Sequence, residues 1–262
     1  MELSLEGASF FYGRRAVIDN TDLTISPHRT TIIIGASGSG KSILLKTIAG
    51  LLPLHRGKVR LDGKNIYTFS EAEELEFRRR SSFVFQDGAL WANRSVLENV
   101  SFPLEVHFPK MSREEIKNKV EFYLEKVGYQ DSLTYRPDQI SSGEQKMVSL
   151  ARALITEPEL LFLDTPLIGI DSNSAEPIKQ IIKEIRAEKR TIIASFLDPE
   201  LISMIADDLV VIHQGRVLTH GPFDQVKHSD DPAVRKILTM ILEEVTAYDD
   251  DILSLLDDGG IL

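Results

Sequence analysis

Residues Gly35-Ala36-Ser37-Gly38-Ser39-Gly40-Lys41-Ser42 carry the most chemically specific spacing in the chain, G-x-x-x-x-G-K-[ST]. Gly35, Gly38 and Gly40 let backbone N–H groups close around phosphate oxygens with no Cβ in the way. Ser37 and Ser39 complete the cradle. Lys41 is spaced to reach the outer phosphates of a nucleotide, and Ser42 offers a hydroxyl to Mg²⁺. Ile43 opens the following helix, whose positive N-terminal end faces the anion.

Such a loop must hang between a strand and a helix. Residues 30–34 are a β-branched apolar run, and residues 43–49 read as helix until Gly50 and Pro53 stop it. With residues 3–5, 8–12 and 23–25, the run 30–34 predicts a group of antiparallel strands. Gly7, Gly13-Arg14-Arg15 and Pro27-His28 punctuate them. Residues 58–61 lead into Asp62-Gly63, a hairpin signal. Residues 71–80 read as a charged helix and 81–85 as a buried strand ending at Gln86. Residues 88–155 read as helical, with a capping box at Ser112 to Glu115 ahead of an apolar face of Ile116, Val120, Tyr123, Leu124 and Val127. Apolar strands at 160–163, 191–196 and 209–213, with a helix over 177–189, predict a parallel sheet. Val234, Ile237, Leu238, Ile241, Leu242 and Val245 form a helical stripe. An acidic, apolar end from Asp249 onward follows, and it reads as a solvated terminus.

At 262 residues the chain can bury a full core, and 42% hydrophobic with 27% charged residues is ordinary for a globular protein. No run approaches about 18 apolar residues, the length of a membrane span. The acidic start lacks an apolar signal core. With no cysteine, disulfides, thiolate metal sites and cysteine nucleophiles are excluded. A net charge of −10 argues against nucleic acid as a partner. The six histidines are scattered without metal-ligand spacing.

The order of four features resembles the ATP-binding cassette (ABC) ATPases over residues 1–228. These are the phosphate loop, Gln86 after a buried strand, Ile140-Ser141-Ser142-Gly143-Glu144 before a helix, and a Leu-Leu-Phe-Leu-Asp strand ending at Asp164. The resemblance implies an α/β P-loop core with an N-terminal antiparallel β subdomain and an inserted helical subdomain at about 88–155. Residues 229–262 are then an amphipathic helix and acidic tail. It implies ATP and Mg²⁺ as cofactors and a dimer of ATPase subunits as the working unit. Tyr12 matches the aromatic that stacks on adenine. Gln86 matches the glutamine that touches Mg²⁺ and the attacking water. Ser141, Ser142 and Gly143 match the signature that meets the γ-phosphate held by the opposite subunit. Asp164 matches the Mg²⁺-binding aspartate, and Asp171 the aspartate that lies across the dimer. Lys41, Gln86 and position 165 are the candidate catalytic residues.

A narrower resemblance rests on residues 85–90, 96–104, 166–171 and 231–235. These are similar to ATPase subunits of bacterial phospholipid transporters of the lipid-asymmetry and mammalian-cell-entry type. That implies a place on the cytoplasmic face of the membrane, integral-membrane permease subunits and a lipid-carrying substrate-binding protein as partners. Trp91, Phe102 and Pro103 are the expected permease contacts.

Two positions depart from the family. Its general-base glutamate follows the Mg²⁺-binding aspartate, where this chain has Thr165. Its switch histidine falls at Leu197. A threonine hydroxyl takes no proton near neutral pH, and leucine has no donor. Ser142, Glu144 and Met147 also soften the signature, Glu144 by bringing negative charge toward an anion. Binding chemistry is complete and hydrolytic chemistry is not, and whether Asp171 or Asp198 stands in as base is left open. The expectation is an ATP-binding transporter subunit with weak hydrolysis at its own site, paired with itself or with an intact paralogue. The alternative is a scaffold or regulatory subunit that closes on ATP without hydrolysing it.

Overall fold

The computed structural model describes residues 1–242. The expected acidic tail and Val245 lie outside the described residues. The chain opens with β1 (Leu3–Tyr12), β2 (Arg15–Ile25), β3 (Thr30–Ile34) and α1 (Lys41–Ile48). β4 (Arg56–Leu61) and β5 (Lys64–Asn65) follow, and β2-β1-β4-β5 form a four-stranded antiparallel sheet. β1 is not broken at Gly7; its pairing with β2 shifts register there instead.

α2 (Glu71–Arg80) leads directly into β6 (Ser81–Val84). The helical lobe is α3 (Val96–His107), α4 (Arg113–Lys126) and α5 (Ser142–Leu154). Each begins at a serine N-cap answered by a glutamate three residues on, which satisfies free N–H groups at the helix start. Residues 88–95 are turns and extended chain ahead of these helices, so the helical stretch starts later than expected.

The rest alternates β7 (Leu160–Asp164), α6 (Ser172–Ala187), β8 (Thr191–Ser195), α7 (Pro199–Ile205) and β9 (Asp208–His213). β10 (Arg216–Pro222), α8 (Phe223–Lys227) and α9 (Pro232–Leu242) end the described chain. The second sheet has six strands in the order β10-β9-β3-β8-β7-β6. Only β10 is antiparallel to its neighbour.

This corrects the reading of residues 30–34. β3 does not join the N-terminal antiparallel group but lies between β8 and β9, parallel to both. Its unbroken burial is what a strand covered on both faces requires. α6 also starts earlier than expected, because the Asp171 side chain caps it and Pro177 is tolerated inside. Neither α7 nor β10 was anticipated.

The sheet divides the core by strand alternation. Ile32, Ile34, Leu161, Leu163, Ile192 and Ala194 face the helical lobe together with α6, α7 and α9. Ile33, Leu160, Phe162 and Ile193 face α1 and the antiparallel sheet. The C-terminal ends of β3, β7 and β8 therefore emerge between two packed layers, where α/β folds place their ligands.

Candidate functional site

The phosphate loop joins β3 to α1. Gly40 caps α1 at φ +108°, a conformation that L side chains rarely adopt, and a Cβ there would lie 2.8 Å from the Val17 carbonyl oxygen. No side chain caps α1, and its first turn holds no acidic residue. Its N-terminal N–H groups are thus left for an anion. Lys41 Nζ donates to the carbonyls of Gly35 at 2.7 Å and Ala36 at 3.0 Å, so the ammonium is held against its own loop. Burial pushes the Lys41 ammonium below the usual lysine range, against the pull of Asp164.

β7 delivers Asp164 to the same place. Ser42 Oγ donates to Asp164 Oδ1 at 2.8 Å, and Ser195 Oγ, from β8, donates to the same oxygen at 3.3 Å. Asp164 is 1% exposed, and its Oδ2 is buried with no partner. A sealed, unsatisfied carboxylate oxygen beside a serine hydroxyl fits a small hard cation such as Mg²⁺. Ser195 was not singled out in the sequence, although a hydroxyl inside an otherwise apolar strand was the available signal.

A pocket of about 320 Å³ is lined by Val17, Ser37, Gly38, Gly40, Lys41, Ser42 and Ile43 on one side. Gln86, Thr165, Ile168 and Leu197 line the other. The structure therefore brings the loop, Gln86 and position 165 together. Ser39 is buried beneath the loop with its hydroxyl unpaired. The turn after Gln86 is strapped to α5: Gly88 O accepts from Ser149 Oγ at 2.9 Å and Arg152 Nη2 at 2.8 Å, and Ala89 O accepts from Arg152 Nη1 at 2.8 Å. These straps were also missed in the sequence.

Tyr12, Ser141, Ser142, Gly143 and Asp171 do not line this pocket. Tyr12 ends β1 and is 82% exposed, so it is no core aromatic. Ser141 caps α5, and Ser142 is exposed beside it. Gly143 lies so close to the start of α6 that a Cβ would meet Ser174 Oγ at 2.6 Å. Asp171 accepts from Ser174 N at 3.0 Å and Ser174 Oγ at 2.8 Å, bonds that hold its carboxyl below the usual range. Glu144 is engaged within its own chain. It accepts from Ser141 N at 2.7 Å, and a shared hydrogen bond with Asp131 lowers Glu144 and raises Asp131.

Asp198 is equally committed. It caps α7 by accepting from Leu201 N at 2.9 Å and pairs with Lys179 Nζ at 2.6 Å. Burial alone would raise its carboxyl, but these bonds outweigh burial and lower it. A carboxylate so stabilised is a poor general base. Thr165 itself is 9% exposed, with φ +44° and a buried hydroxyl that has no partner. A β-branched residue in that region costs on the order of 1–3 kcal/mol. Leu197 is 52% exposed.

A second hollow of about 480 Å³ lies between the sheet and the helical lobe. Phe83, Phe85, Trp91, Phe102, Pro103 and Arg152 are among its walls. Trp91 and Phe102 meet edge to face at 4.4 Å between ring centroids and are 39% and 36% exposed. They form a rim, not core. No helix among the described residues is long and apolar enough to cross a membrane.

The family model described as ABC transporter matches residues 18–168. The chain is similar to the intermembrane phospholipid transport system ATP-binding protein MlaF of Escherichia coli (strain K12). Identity is 31% over 243 residues, covering 92% of this chain and 90% of that one. It is 33% identical over 237 residues to the protein of the same name from Haemophilus influenzae, covering 90% and 89%. Among solved structures it resembles the dimeric ATP-binding cassette MJ0796 in a post-hydrolysis state with ADP and Pi. There the TM-score is 0.77 and identity 27%, over 84% of this chain and 98% of that one. With its phosphate loop, Asp164 strand and helical lobe arranged as described, the chain belongs to the ABC transporter ATP-binding family.

Proposed function

We propose that this chain binds ATP with Mg²⁺ in the loop pocket and uses that binding to drive a phospholipid-transporting permease, with slow hydrolysis at its own site. The observation that carries this reading is the contrast inside one pocket. Lys41, Ser42 and the unsatisfied Asp164 Oδ2 converge on one side, while Thr165 and Leu197 stand where proton transfer and γ-phosphate contact would be needed. When bound, Mg²⁺ neutralises phosphate charge. Lys41 and the free N–H groups of α1 hold the phosphates, Ser42 and Asp164 hold the ion, and Gln86 orients water beside it.

Phospholipid as cargo rests on the names of the MlaF relatives. Residues 1–228 act as the ATP-binding domain, with Tyr12 receiving the adenine. Ser141 to Gly143 and Asp171 serve the site of a second ATPase subunit. The aromatic hollow receives a permease segment at Trp91, Phe102 and Pro103. A paralogue with an intact base as the second subunit, and a lipid-carrying partner, complete the assembly on the inner face of the membrane. Mass spectrometry of the complex that co-purifies from detergent-solubilised membranes tests this. A permease with an intact second ATPase is the expected result. Absence of any permease would overturn the transporter role.

The second reading, a scaffold that closes on ATP without turnover, is favoured by the same Thr165 and Leu197. Transport by the assembly that continues when only a non-hydrolysable ATP analogue is supplied would select it.

A further inference from the structure

Thr165 combines two costs that rarely meet without compensation. Its backbone is left-handed at φ +44°, which a β-branched side chain resists. Its hydroxyl, in a residue 9% exposed, is cut off from solvent and has no hydrogen-bond partner. The conformation is imposed from both sides. Thr165 N donates to Ser195 O at 3.1 Å, and Thr165 O accepts from Ile168 N at 3.2 Å. Glycine would remove both costs, and valine would remove the unpaired hydroxyl.

The surroundings say what the hydroxyl lacks. Thr165, Ile168 and Leu197 are shared walls of the nucleotide pocket and of an adjoining groove of about 640 Å³. The Ile168 and Leu197 side chains offer no hydrogen bond, and the carboxylates of Asp171 and Asp198 are bound to their own helix starts. On this wall, beside the exposed amide of Gln86, the Thr165 hydroxyl is a buried side-chain donor without a partner, which a phosphate oxygen arriving from the loop side would satisfy.

We propose that Thr165 is the residue by which this pocket distinguishes a nucleoside triphosphate from a diphosphate. On binding, the side chain turns its hydroxyl to donate to the terminal phosphate, which satisfies the group orphaned in the free chain. A diphosphate ends short of this wall and leaves the hydroxyl unpaired. The inference rests on the ATP-binding reading but goes beyond it, because it assigns nucleotide discrimination to the Thr165 hydroxyl.

The test is calorimetric titration of the full chain with ADP and with a non-hydrolysable ATP analogue, each with Mg²⁺. Thr165→Val keeps shape and branching and removes the hydroxyl, while Thr165→Ser keeps the hydroxyl. Thr165→Val should lose about tenfold of the preference for triphosphate over diphosphate, the size of one hydrogen bond to a charged group. Its diphosphate affinity should stay within about twofold, and its melting temperature without nucleotide should equal or exceed that of the unaltered chain. Thr165→Ser should keep the preference. An unchanged preference in Thr165→Val overturns the proposal, even if turnover falls, since the hydroxyl would then make no bond to the terminal phosphate. Failure of the unaltered chain to bind either nucleotide would instead sink the ATP-binding reading itself.

Discussion

The two walls of the nucleotide pocket differ in how their polar groups are held. On the loop side, Lys41 and Ser42 already have protein partners within 3.0 Å, and the buried Asp164 Oδ2, on the carboxylate that Ser42 bonds, has no partner. On the far side, Thr165 is strained and unpartnered while Ile168 and Leu197 are half-exposed and apolar. The first wall is organised for binding before a ligand arrives. The second lacks any group that titrates near neutral pH. Binding and turnover are therefore separable in this fold, because they rest on different side chains: Lys41, Ser42 and Asp164 on one wall, Thr165 and Leu197 on the other.

Breaking the loop wall should have the largest effect. Lys41→Ala should weaken ATP binding by about a hundredfold, as expected for a lost hydrogen-bonded charge, in a fluorescent-nucleotide titration. A loss under about threefold would mean that the loop does not carry the affinity. Rebuilding the far wall comes next. Thr165→Glu with Leu197→His should raise turnover by roughly 10²-fold, the low end for a positioned acid–base group. Phosphate release from the purified complex measures it. If that gain stops transport rather than speeding it, the scaffold reading prevails.

Lys41 also predicts a pH dependence. Burial lowers its ammonium in the free chain, whereas bound phosphate favours the charged form. Binding must then take up a proton once pH passes the free-state value, so ATP affinity falls as pH rises. The fall should begin below the ordinary lysine pKa of about 10.4, and Lys41→Arg should flatten the curve. The smallest expected effect is that of Ser195→Ala. It removes a 3.3 Å bond to Asp164 Oδ1 while the Ser42 bond remains. Mg²⁺ dependence should shift by only about threefold and stability by about 1 kcal/mol, in magnesium titrations and urea melts.

The loop wall was legible in the sequence because consecutive residue types define it, and local spacing is what a sequence displays directly. The parallel sheet was legible for a similar reason, since strands such as Leu160–Asp164 are apolar throughout. The placement of β3 was not, because its partners Ile192 and Asp208 lie far along the chain. Nothing local to Thr165 announces a left-handed backbone, which is set by its bonds to Ser195 and Ile168. Asp171 and Asp198 looked like spare carboxylates until their helix starts were seen to claim them.

The most direct test of the separation between binding and turnover is a single-turnover measurement with γ-labelled ATP on the chain in its complex. The label should bind tightly, and the part held in this chain's own pocket should be cleaved at about 0.1 to 0.001 s⁻¹. That is a typical rate near 10 s⁻¹ reduced by the 10²–10⁴-fold worth of a missing acid–base group. Cleavage of that fraction at 1 s⁻¹ or faster, on the order of an ordinary enzyme, would contradict the account.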